Sequence, residues 1–373
     1  MRNNIDPSVT NRVLELAVAI QQIPAPPFGE SQRAAFIHEA FRKEGVSEVS
    51  IDEVGNVLAH LPGNPNRTPL IITAHMDTVF PFGTPLQNYP QPDRIYGPGI
   101  GDNSIGVASL FGLLWTFQLI PQSLQLPADI WLIANVGEEG LGNLRGMRKI
   151  VEKFQGDVLA YLVIEGMGLG QIFHRALEIK RYRIYVKTPG GHSWVDFGRP
   201  SAINEIAGLI NHLTGLSIPR KPRTSMNIGT ISGGTSVNTI AAEAFLDLDL
   251  RSENTRTLDN LVKNVEARIM NARKTDVVVS LEQIGHRPGG RIPASHPLVR
   301  LAGRCLKSYG IQPDLSVGST DANIPLSMKH PAICVGITRG SGAHTTNEFI
   351  ETGFLPQGLG QLVDLVVGAL NEL

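Results

Sequence analysis

Four short aliphatic runs constrain the fold of this chain more than any other feature of its sequence. They occupy residues 70–74, 130–136, 159–164 and 332–337. Runs of this length without regular polar positions are typical of strands that helices cover on both faces. Helical stretches separate them, for example residues 105–120 and 258–271. We therefore predict an α/β fold with a mixed, mostly parallel sheet flanked by helices.

The middle of the chain follows a different pattern. Residues 244–251 alternate between apolar and mostly polar side chains, which is typical of a strand with one exposed face. Strand-like stretches at residues 178–188 and 226–231 and a helical stretch at 201–214 accompany it. We predict an inserted α+β domain at residues 177–287. The sheet domain is then made of residues 1–176 and 288–373, and a chain of 373 residues has room for two cores.

Composition argues against several classes of function. The 33 basic and 34 acidic residues leave a formal net charge of -1, so no broad basic field exists for nucleic acid or acidic lipid. The apolar stretch 105–120 is too short to span a bilayer, and Pro121 ends it. The first residues contain no apolar signal core, and the two cysteines form no C-x-x-C pair. We expect a cytoplasmic protein that binds neither nucleic acid nor membrane.

Ionisable side chains follow the aliphatic runs. His75 and Asp77 come after the first run, Glu138 and Glu139 after the second, and Glu165 after the third. A glycine-rich loop after the fourth run leads to His344, and Asp102 stands just before the helical stretch that begins near residue 105. The carboxyl ends of parallel strands meet at one edge of a sheet, where open α/β folds carry their sites. We expect these side chains to converge there.

The chemistry of such a set favours a catalytic metal centre. Zinc takes imidazole nitrogen and carboxylate oxygen, and two ions need a carboxylate between them. Another carboxylate has to stay off the metal to accept a proton, and neighbouring side chains such as Glu138 and Glu139 point in different directions. Asp77 can orient His75 through its second ring nitrogen. Taken singly, each residue also has a plainer interpretation as a surface charge, a helix cap or a loop histidine.

The same residues carry a family resemblance that covers nearly the whole chain. The matching stretches are Ala74-His75-Met76-Asp77-Thr78-Val79, Gly101-Asp102-Asn103-Ser104-Ile105-Gly106, Gly137-Glu138-Glu139-Gly140, Ile164-Glu165-Gly166 and Ala343-His344-Thr345-Thr346-Asn347-Glu348. In this order they resemble the co-catalytic zinc family that contains glutamate carboxypeptidase, peptidase T, acetylornithine deacetylase, succinyl-diaminopimelate desuccinylase and aminoacylase.

The resemblance implies a role for each of these residues. Asp102 would bridge two divalent ions, most simply zinc, with cobalt or manganese as alternatives. One ion would be completed by His75 and Glu165, and the other by Glu139 and His344. Glu138 would be the general base, and Asp77 would lie behind His75. The family often has a cis peptide after the bridging aspartate, here between Asp102 and Asn103.

The insert resembles the family's lid and dimerisation domain, which implies a homodimer. His192 matches a lid histidine that stabilises an oxyanion, Asn238 a substrate-contacting asparagine, and Arg251 an arginine that binds a substrate carboxylate. The plainer alternatives are that His192 is a turn residue and that Arg251 pairs with a nearby aspartate. The stretch Ser319-Thr320-Asp321-Ala322 also resembles a family segment near the metals, and we assign it no role.

The resulting hypothesis is metal-dependent hydrolysis of an amide bond in a small peptide or an N-acyl amino acid. The enzyme would be an exopeptidase, either a carboxypeptidase or similar to a tripeptide aminopeptidase, or a deacylase. Two alternatives stay open: a metal-binding homologue without catalysis, and a serine hydrolase that uses Ser193. The second is weakened because Val195 stands where the G-x-S-x-G pattern requires glycine.

Overall fold

The computed structural model describes residues 5–119, 126–155 and 157–373. The chain divides into two compact units, each described by itself. The first unit consists of Met1–Ala176 and Gly290–Leu373, and the second unit of Leu177–Gly289.

Helices and strands alternate along most of the described chain. Its α-helices are α1 Pro7–Gln21, α2 Ser31–Lys43, α3 Ile105–Gln118, α4 Arg145–Phe154, α5 Ala202–Thr214, α6 Thr255–Asn271, α7 Pro297–Ser308, α8 Asn323–Ser327 and α9 Leu355–Glu372. Its first strands are β1 Glu48–Ile51, β2 Val57–Leu61, β3 Leu70–His75, β4 Tyr89–Pro90, β5 Arg94–Tyr96, β6 Ile130–Asn135, β7 Ala160–Glu165 and β8 Gln171–Ala176. The remaining strands are β9 Glu178–Lys187, β10 Gly191–His192, β11 Thr224–Gly233, β12 Thr239–Ile240, β13 Glu243–Ser252, β14 Val278–Arg287, β15 Gly290–Arg291, β16 Asp314–Gly318, β17 Ala332–Gly336, β18 Arg339–Ser341 and β19 Phe349–Glu351.

The four aliphatic runs form the centre of the main sheet of the first unit. Its order is β1-β2-β6-β3-β7-β17-β8-β15, with β16 paired to β8. Strands β6, β3, β7 and β17 run parallel to their neighbours within this central group, whereas β2 and β8 attach to it antiparallel. The prediction of a mixed sheet flanked by helices is therefore confirmed. All six residues of β3 are buried, as expected for a strand covered on both faces.

Helix α3 is apolar around most of its circumference because it lies inside the first unit rather than on its surface. Its Phe111 is fully buried and stacks on Phe41 of α2, with the ring centroids 4.0 Å apart. The helix ends at Gln118; Ile120 and Pro121, which belong to the predicted stretch and its end, lie outside the described residues.

The last helix passes a test of length and composition for a membrane span. Among the described residues, Thr352–Glu372 is the one helical segment long and apolar enough, and 61% of its most apolar window is buried inside the structure. Leu359, Leu362 and Leu365 of this segment belong to the hydrophobic core of the first unit. The helix thus has the packing of a core helix.

The second unit contains a four-stranded antiparallel sheet in the order β11-β13-β9-β14. The predicted alternation along β13 is confirmed, because Leu246, Leu248 and Leu250 are buried while the intervening residues are partly exposed. These leucines share a core with residues of α5 and α6. The opposite, polar face carries cross-strand ion pairs, such as Arg183 with Asp247 at 2.6 Å.

The packing of α3 predicts a stability effect. Replacing Phe111 by alanine removes a buried ring and its stacking contact with Phe41. We expect a loss of about 3–5 kcal/mol in the free energy of unfolding. Urea unfolding followed by circular dichroism measures it. Leu119→Ala is the matched control, because Leu119 follows the same helix, is 68% exposed and should change the value by less than about 0.5 kcal/mol. Equal effects of the two substitutions would contradict the assignment of α3 as a core helix.

Candidate metal centre

Parallel strand pairing places the first two candidate ligands at one edge of the main sheet. His75 is the last residue of β3 and stands opposite Asn135, the last residue of β6. Glu165 is the last residue of β7 and stands opposite Gly336 of β17. Because β3 pairs with β7 as well as with β6, both side chains leave the sheet at its carboxyl edge.

The first group of candidate ligands consists of His75, Asp102 and Glu165. His75 Nε2 lies 3.1 Å from Asp102 Oδ1 and 3.6 Å from Glu165 Oε2. One ligand atom from each residue lies within 4.8 Å of the others. The imidazole is buried, with 2% of its side chain exposed.

The second group consists of Asp102, Glu139 and His344. His344 Nε2 lies 3.1 Å from Asp102 Oδ2 and 3.1 Å from Glu139 Oε1. Asp102 therefore belongs to both groups and directs one carboxylate oxygen at each imidazole. The peptide bond between Asp102 and Asn103 is cis, as the resemblance implied.

The electrostatics of these groups fit a pair of cations. Burial raises the pKa of Glu139 to about 7 and that of Glu165 to about 6, because each acid is out of water and near other carboxylates. Burial also acts to raise the pKa of Asp102. The imidazoles of His344 and His75 outweigh this effect and hold the pKa of Asp102 well below its usual range.

The pKa values of the two imidazoles are raised as well, because the neighbouring carboxylates favour the charged form of each ring. The carboxylates of Asp102 and Glu139 raise the pKa of His344 to about 10. Burial alone would lower the pKa of His75, but the negative charge of Glu165 and Asp102 prevails and raises it well above its usual value. Protons on the two histidines thus balance the carboxylates in the metal-free protein. Divalent ions bound by these nitrogen and oxygen donors would supply the same positive charge, so the residues present fit two metal ions.

Asp77 connects the segment that carries His75 with the segment that carries Glu138 and Glu139. It is fully buried and accepts hydrogen bonds from the amides of Glu138 at 3.0 Å and Glu139 at 2.8 Å. His75 Nδ1 lies 3.1 Å from the backbone oxygen of Asp77 and 3.7 Å from its carboxylate. The residue thus lies beside the Nδ1 side of His75, and its carboxylate mainly holds the backbone that presents Glu138 and Glu139.

Sequence reasoning missed a buried arginine behind this segment. Arg33 of α2 is 1% exposed and donates to the carbonyl oxygen of Met76 at 2.6 Å and to that of Ile23 at 2.9 Å. Burial lowers the pKa of Arg33 to about 10, while the nearby charge of Asp77 opposes the shift. The guanidinium therefore supports the peptide between His75 and Asp77. An arginine in an amphipathic helix gives no sequence signal for such a role.

The stretch around Asp321, which was left without a role, lies beneath the same edge of the sheet. Asp321 is fully buried and accepts a hydrogen bond from Asn135 Nδ2 at 2.7 Å. Burial raises the pKa of Asp321 well above its usual range, and the nearby charge of Glu138 adds to the effect. A neutral carboxyl at this position would place no extra negative charge beside the metal-binding groups.

The three remaining candidates lie in the second unit. Arg251 donates to Asp249 through Nε at 2.6 Å and Nη2 at 3.3 Å, which is one of the alternatives that its position left open. His192 is exposed, and its Nδ1 accepts the backbone amide of Trp194 at 3.2 Å. Asn238 is also exposed, and its side-chain oxygen accepts from the Ser236 hydroxyl at 2.8 Å.

The serine-hydrolase alternative has no geometric support in the part of the chain that the structure describes. No hydrogen bond there joins the Ser193 hydroxyl to a histidine, and the backbone amide of Ser193 donates to Asn238 at 3.0 Å. A catalytic serine requires a base within hydrogen-bond reach.

Comparisons with known proteins identify a matching family and several relatives. A model of peptidase family M20/M25/M40 matches residues 71–368. A peptidase M20 domain-containing protein from Schizosaccharomyces pombe is 29% identical over 219 residues, which cover 56% of this chain and 51% of that protein. Cytosol non-specific dipeptidase from Escherichia coli is 26% identical over 291 residues, which cover 69% of this chain and 57% of the relative. This chain thus spans little more than half the length of these curated relatives.

Among solved structures, a tripeptidase from Staphylococcus aureus superposes with a TM-score of 0.80 at 22% identity. The superposition covers 99% of this chain and 100% of that chain, so the two share a fold. The family match extends from the strand that ends at His75 to Gly368 near the end of α9 and includes all five residues of the two groups. This chain belongs to the M20/M25/M40 peptidase family.

Proposed function

We propose that the protein is a two-metal hydrolase that cleaves an amide bond in a small peptide or an N-acyl amino acid. The observation that carries the proposal is the position of Asp102, whose two oxygens each face one imidazole in two adjacent ligand groups. His75 and Glu165 would complete one ion, and Glu139 and His344 the other. When bound, such ions polarise a carbonyl group and make a water molecule more acidic.

Zinc is the ion we favour. Two imidazoles and three carboxylates suit zinc in catalytic sites, although cobalt and manganese accept the same donors. Structural zinc sites usually close their coordination with four protein ligands, whereas each group here offers three ligand residues. The remaining positions would be available to water and substrate.

Glu138 is the proposed general base. It is 6% exposed, precedes the ligand Glu139 and belongs to neither ligand group. The hydrogen bond from its amide to Asp77 holds its backbone relative to the segment that carries His75. Its carboxylate would accept a proton from the attacking water and return it to the leaving amine, as a carboxylate close to the reacting atoms can do.

The second unit would act as a lid and dimerisation domain. His192 would stabilise the oxyanion and Asn238 would contact the substrate. Arg251 would bind a substrate carboxylate, and 42% of its side chain is exposed although Asp249 occupies part of its fork. Strand β11 supports a homodimer, because it is an edge strand, half-buried or exposed throughout, whose unpaired backbone groups can pair with another chain.

The substrate class is proposed as that of an exopeptidase or a deacylase. The names of the relatives from Escherichia coli and Staphylococcus aureus describe a dipeptidase and a tripeptidase, which support small peptides. The first of these names also describes a cytosolic protein, which supports a cytoplasmic location. A metal-binding homologue without catalysis is less favoured, because such a protein has no chemical need for Glu138 beside the ligands.

The raised pKa of the candidate ligands predicts proton release on metal binding. The raised pKa values of His75 and His344 favour their protonated forms in the metal-free protein, and Glu139, with a pKa of about 7, is partly protonated at pH 7. Metal binding requires neutral imidazoles and ionised carboxylates, so about two or more protons should leave as two ions bind. Titration calorimetry with Zn²⁺ in buffers of different ionisation enthalpy counts them.

The same linkage sets the pH dependence of metal affinity. Protons compete with metal below the pKa of each ligand, so affinity should be weaker at pH 6 than at pH 8. His344→Ala should release fewer protons than the wild-type protein. Affinity that is independent of pH, or uptake of Zn²⁺ without proton release, would contradict the assigned ligands.

Substitution of Glu138 tests the general base. Glu138→Gln should retain both ions because Glu138 belongs to neither ligand group, yet kcat should fall by about 10²–10⁴-fold. Metal content by atomic emission and steady-state hydrolysis of a tripeptide measure the two effects. Glu152→Gln is the control, because this glutamate is 69% exposed on α4.

Turnover by Glu138→Gln within a few-fold of the wild-type value would end the assignment. A chelator should abolish activity in the wild-type protein, and Zn²⁺, Co²⁺ or Mn²⁺ should restore it. Inactivation by a serine-directed phosphonate, together with insensitivity to the chelator, would instead favour Ser193 as the nucleophile.

Arg251 predicts a preference for substrates with a free carboxylate. Arg251→Met should lower kcat/KM for a tripeptide or an N-acetyl amino acid by about 10–100-fold, the expected loss of a hydrogen bond to a charged group. It should change hydrolysis of the corresponding amides little. Arg256→Met, at an exposed position of α6, is the control. An equal loss on acids and amides would contradict carboxylate recognition, and the ratio of tripeptide to N-acetyl substrates separates an exopeptidase from a deacylase.

A further inference from the structure

A buried carboxylate outside both ligand groups accepts three backbone amides beside Asp102. Glu348 is fully buried, and its Oε1 accepts from Gly101 at 2.7 Å and from Asp102 at 2.8 Å. Its Oε2 accepts from the amide of Gly99 at 3.1 Å. A carboxylate so placed stabilises amides that would otherwise be buried without an acceptor, each of which costs about 1–3 kcal/mol.

These amides belong to the turn that leads into α3. Gly99 has a φ of 77°, and a side chain there would lie 2.8 Å from Thr78 Cγ2, so glycine is required. Within the described chain, neither segment is capped by the side chain of its own first residue, because Gly99 has no side chain and that of Ser104 makes no capping hydrogen bond. Glu348 therefore supplies the acceptor for these amides from a distant part of the chain, in the turn that precedes α3.

Glu348 also belongs to the segment that carries His344. Its backbone oxygen accepts from Gly97 at 2.9 Å, and the next residue, Phe349, pairs with Tyr96 between β19 and β5. His344 stands four residues earlier, in a loop where it adopts a φ of 65° and where 55% of its side chain is exposed. An exposed ligand in such a loop needs well-anchored neighbouring residues to have a defined position. Glu348 is a buried residue of this kind.

From these contacts we propose that Glu348 is a positioning residue that joins the Asp102 turn to the His344 loop. Its carboxylate holds the backbone of the shared ligand, while its main chain holds the strand that follows His344. The second ligand group depends on both the Asp102 turn and the His344 loop; its members are Asp102, Glu139 and His344. By contrast, His75 and Glu165 are anchored by the main sheet. Glu348 thus sets the affinity of the second group for its ion. This inference rests on the proposed two-metal function.

Metal binding to the metal-free protein tests it. Co²⁺ is titrated into the wild-type protein, Glu348→Ala and Glu348→Gln, and binding is followed by visible absorption and by calorimetry. We expect Glu348→Ala to bind one of two Co²⁺ ions about 10–100-fold more weakly, the usual effect of losing a partner that orients a ligand. The other ion shares Asp102 but not His344, so it should be weakened less, and the absorption of the more strongly weakened ion should change.

Two further variants separate positioning from general stability. Glu348→Gln keeps one oxygen for Gly101 and Asp102 but turns an amide group toward Gly99, so its loss of affinity should be smaller than that of Glu348→Ala. Glu351→Ala is the matched control, because it removes a half-buried carboxylate from β19, whose partner Arg94 lies 3.6 Å away. It should bind both ions normally.

Wild-type affinity and absorption in Glu348→Ala would overturn the inference, as would equal weakening by Glu351→Ala or equal weakening of both ions. If Glu348→Ala does not fold, Glu348→Gln decides, and normal binding of both ions by that variant would overturn the inference. Uptake of fewer than two Co²⁺ ions by the wild-type protein would instead contradict the proposed function.

Discussion

The approach of four ionisable side chains to Asp102 is the constraint on which the rest of the first unit depends. Three carboxylates in a mostly buried place repel one another, and protons on His75 and His344 balance them only in the metal-free protein. Such a cluster persists because the surrounding structure holds each backbone in position and because divalent ions would stabilise it. The metal centre and its supporting contacts therefore have to be understood together.

Those supporting contacts share one form, a buried charged or polar group bound to the backbone of a ligand segment. Asp77 holds the amides of Glu138 and Glu139, and Arg33 holds the carbonyl of Met76 beside His75. Each contact satisfies a backbone group that water cannot reach and fixes a ligand at the same time. Precision at the metal centre thus comes from main-chain hydrogen bonds that start in other parts of the fold.

Part of this arrangement could be predicted from the positions at which the aliphatic runs end. His75 and Glu165 end aliphatic runs that are recognisable by length and composition, and the parallel register then brings them to one edge. Strand ends do not reveal the supporting roles of Arg33 and Asp321 or the hydrogen bonds between Glu348 and the backbone before α3. Their partners lie far away in the chain; Glu348 and Asp102, for example, are separated by 246 positions. Neither spacing nor residue type reveals a long-range hydrogen bond of this kind.

The sequence by itself determined the class of fold, because hydrophobic periodicity reports which faces of a strand or helix avoid water. It also determined the chemical character of the candidate ligands, because only certain side chains bind zinc-like ions. The family resemblance implied that Asp102 is shared, and the tertiary structure alone showed the geometry, with one carboxylate oxygen of Asp102 toward each histidine. It alone decided that Arg251 pairs with Asp249 and that Asp77 binds amides. These contacts depend on distances of a few ångströms between segments whose proximity cannot be read from their order in the chain.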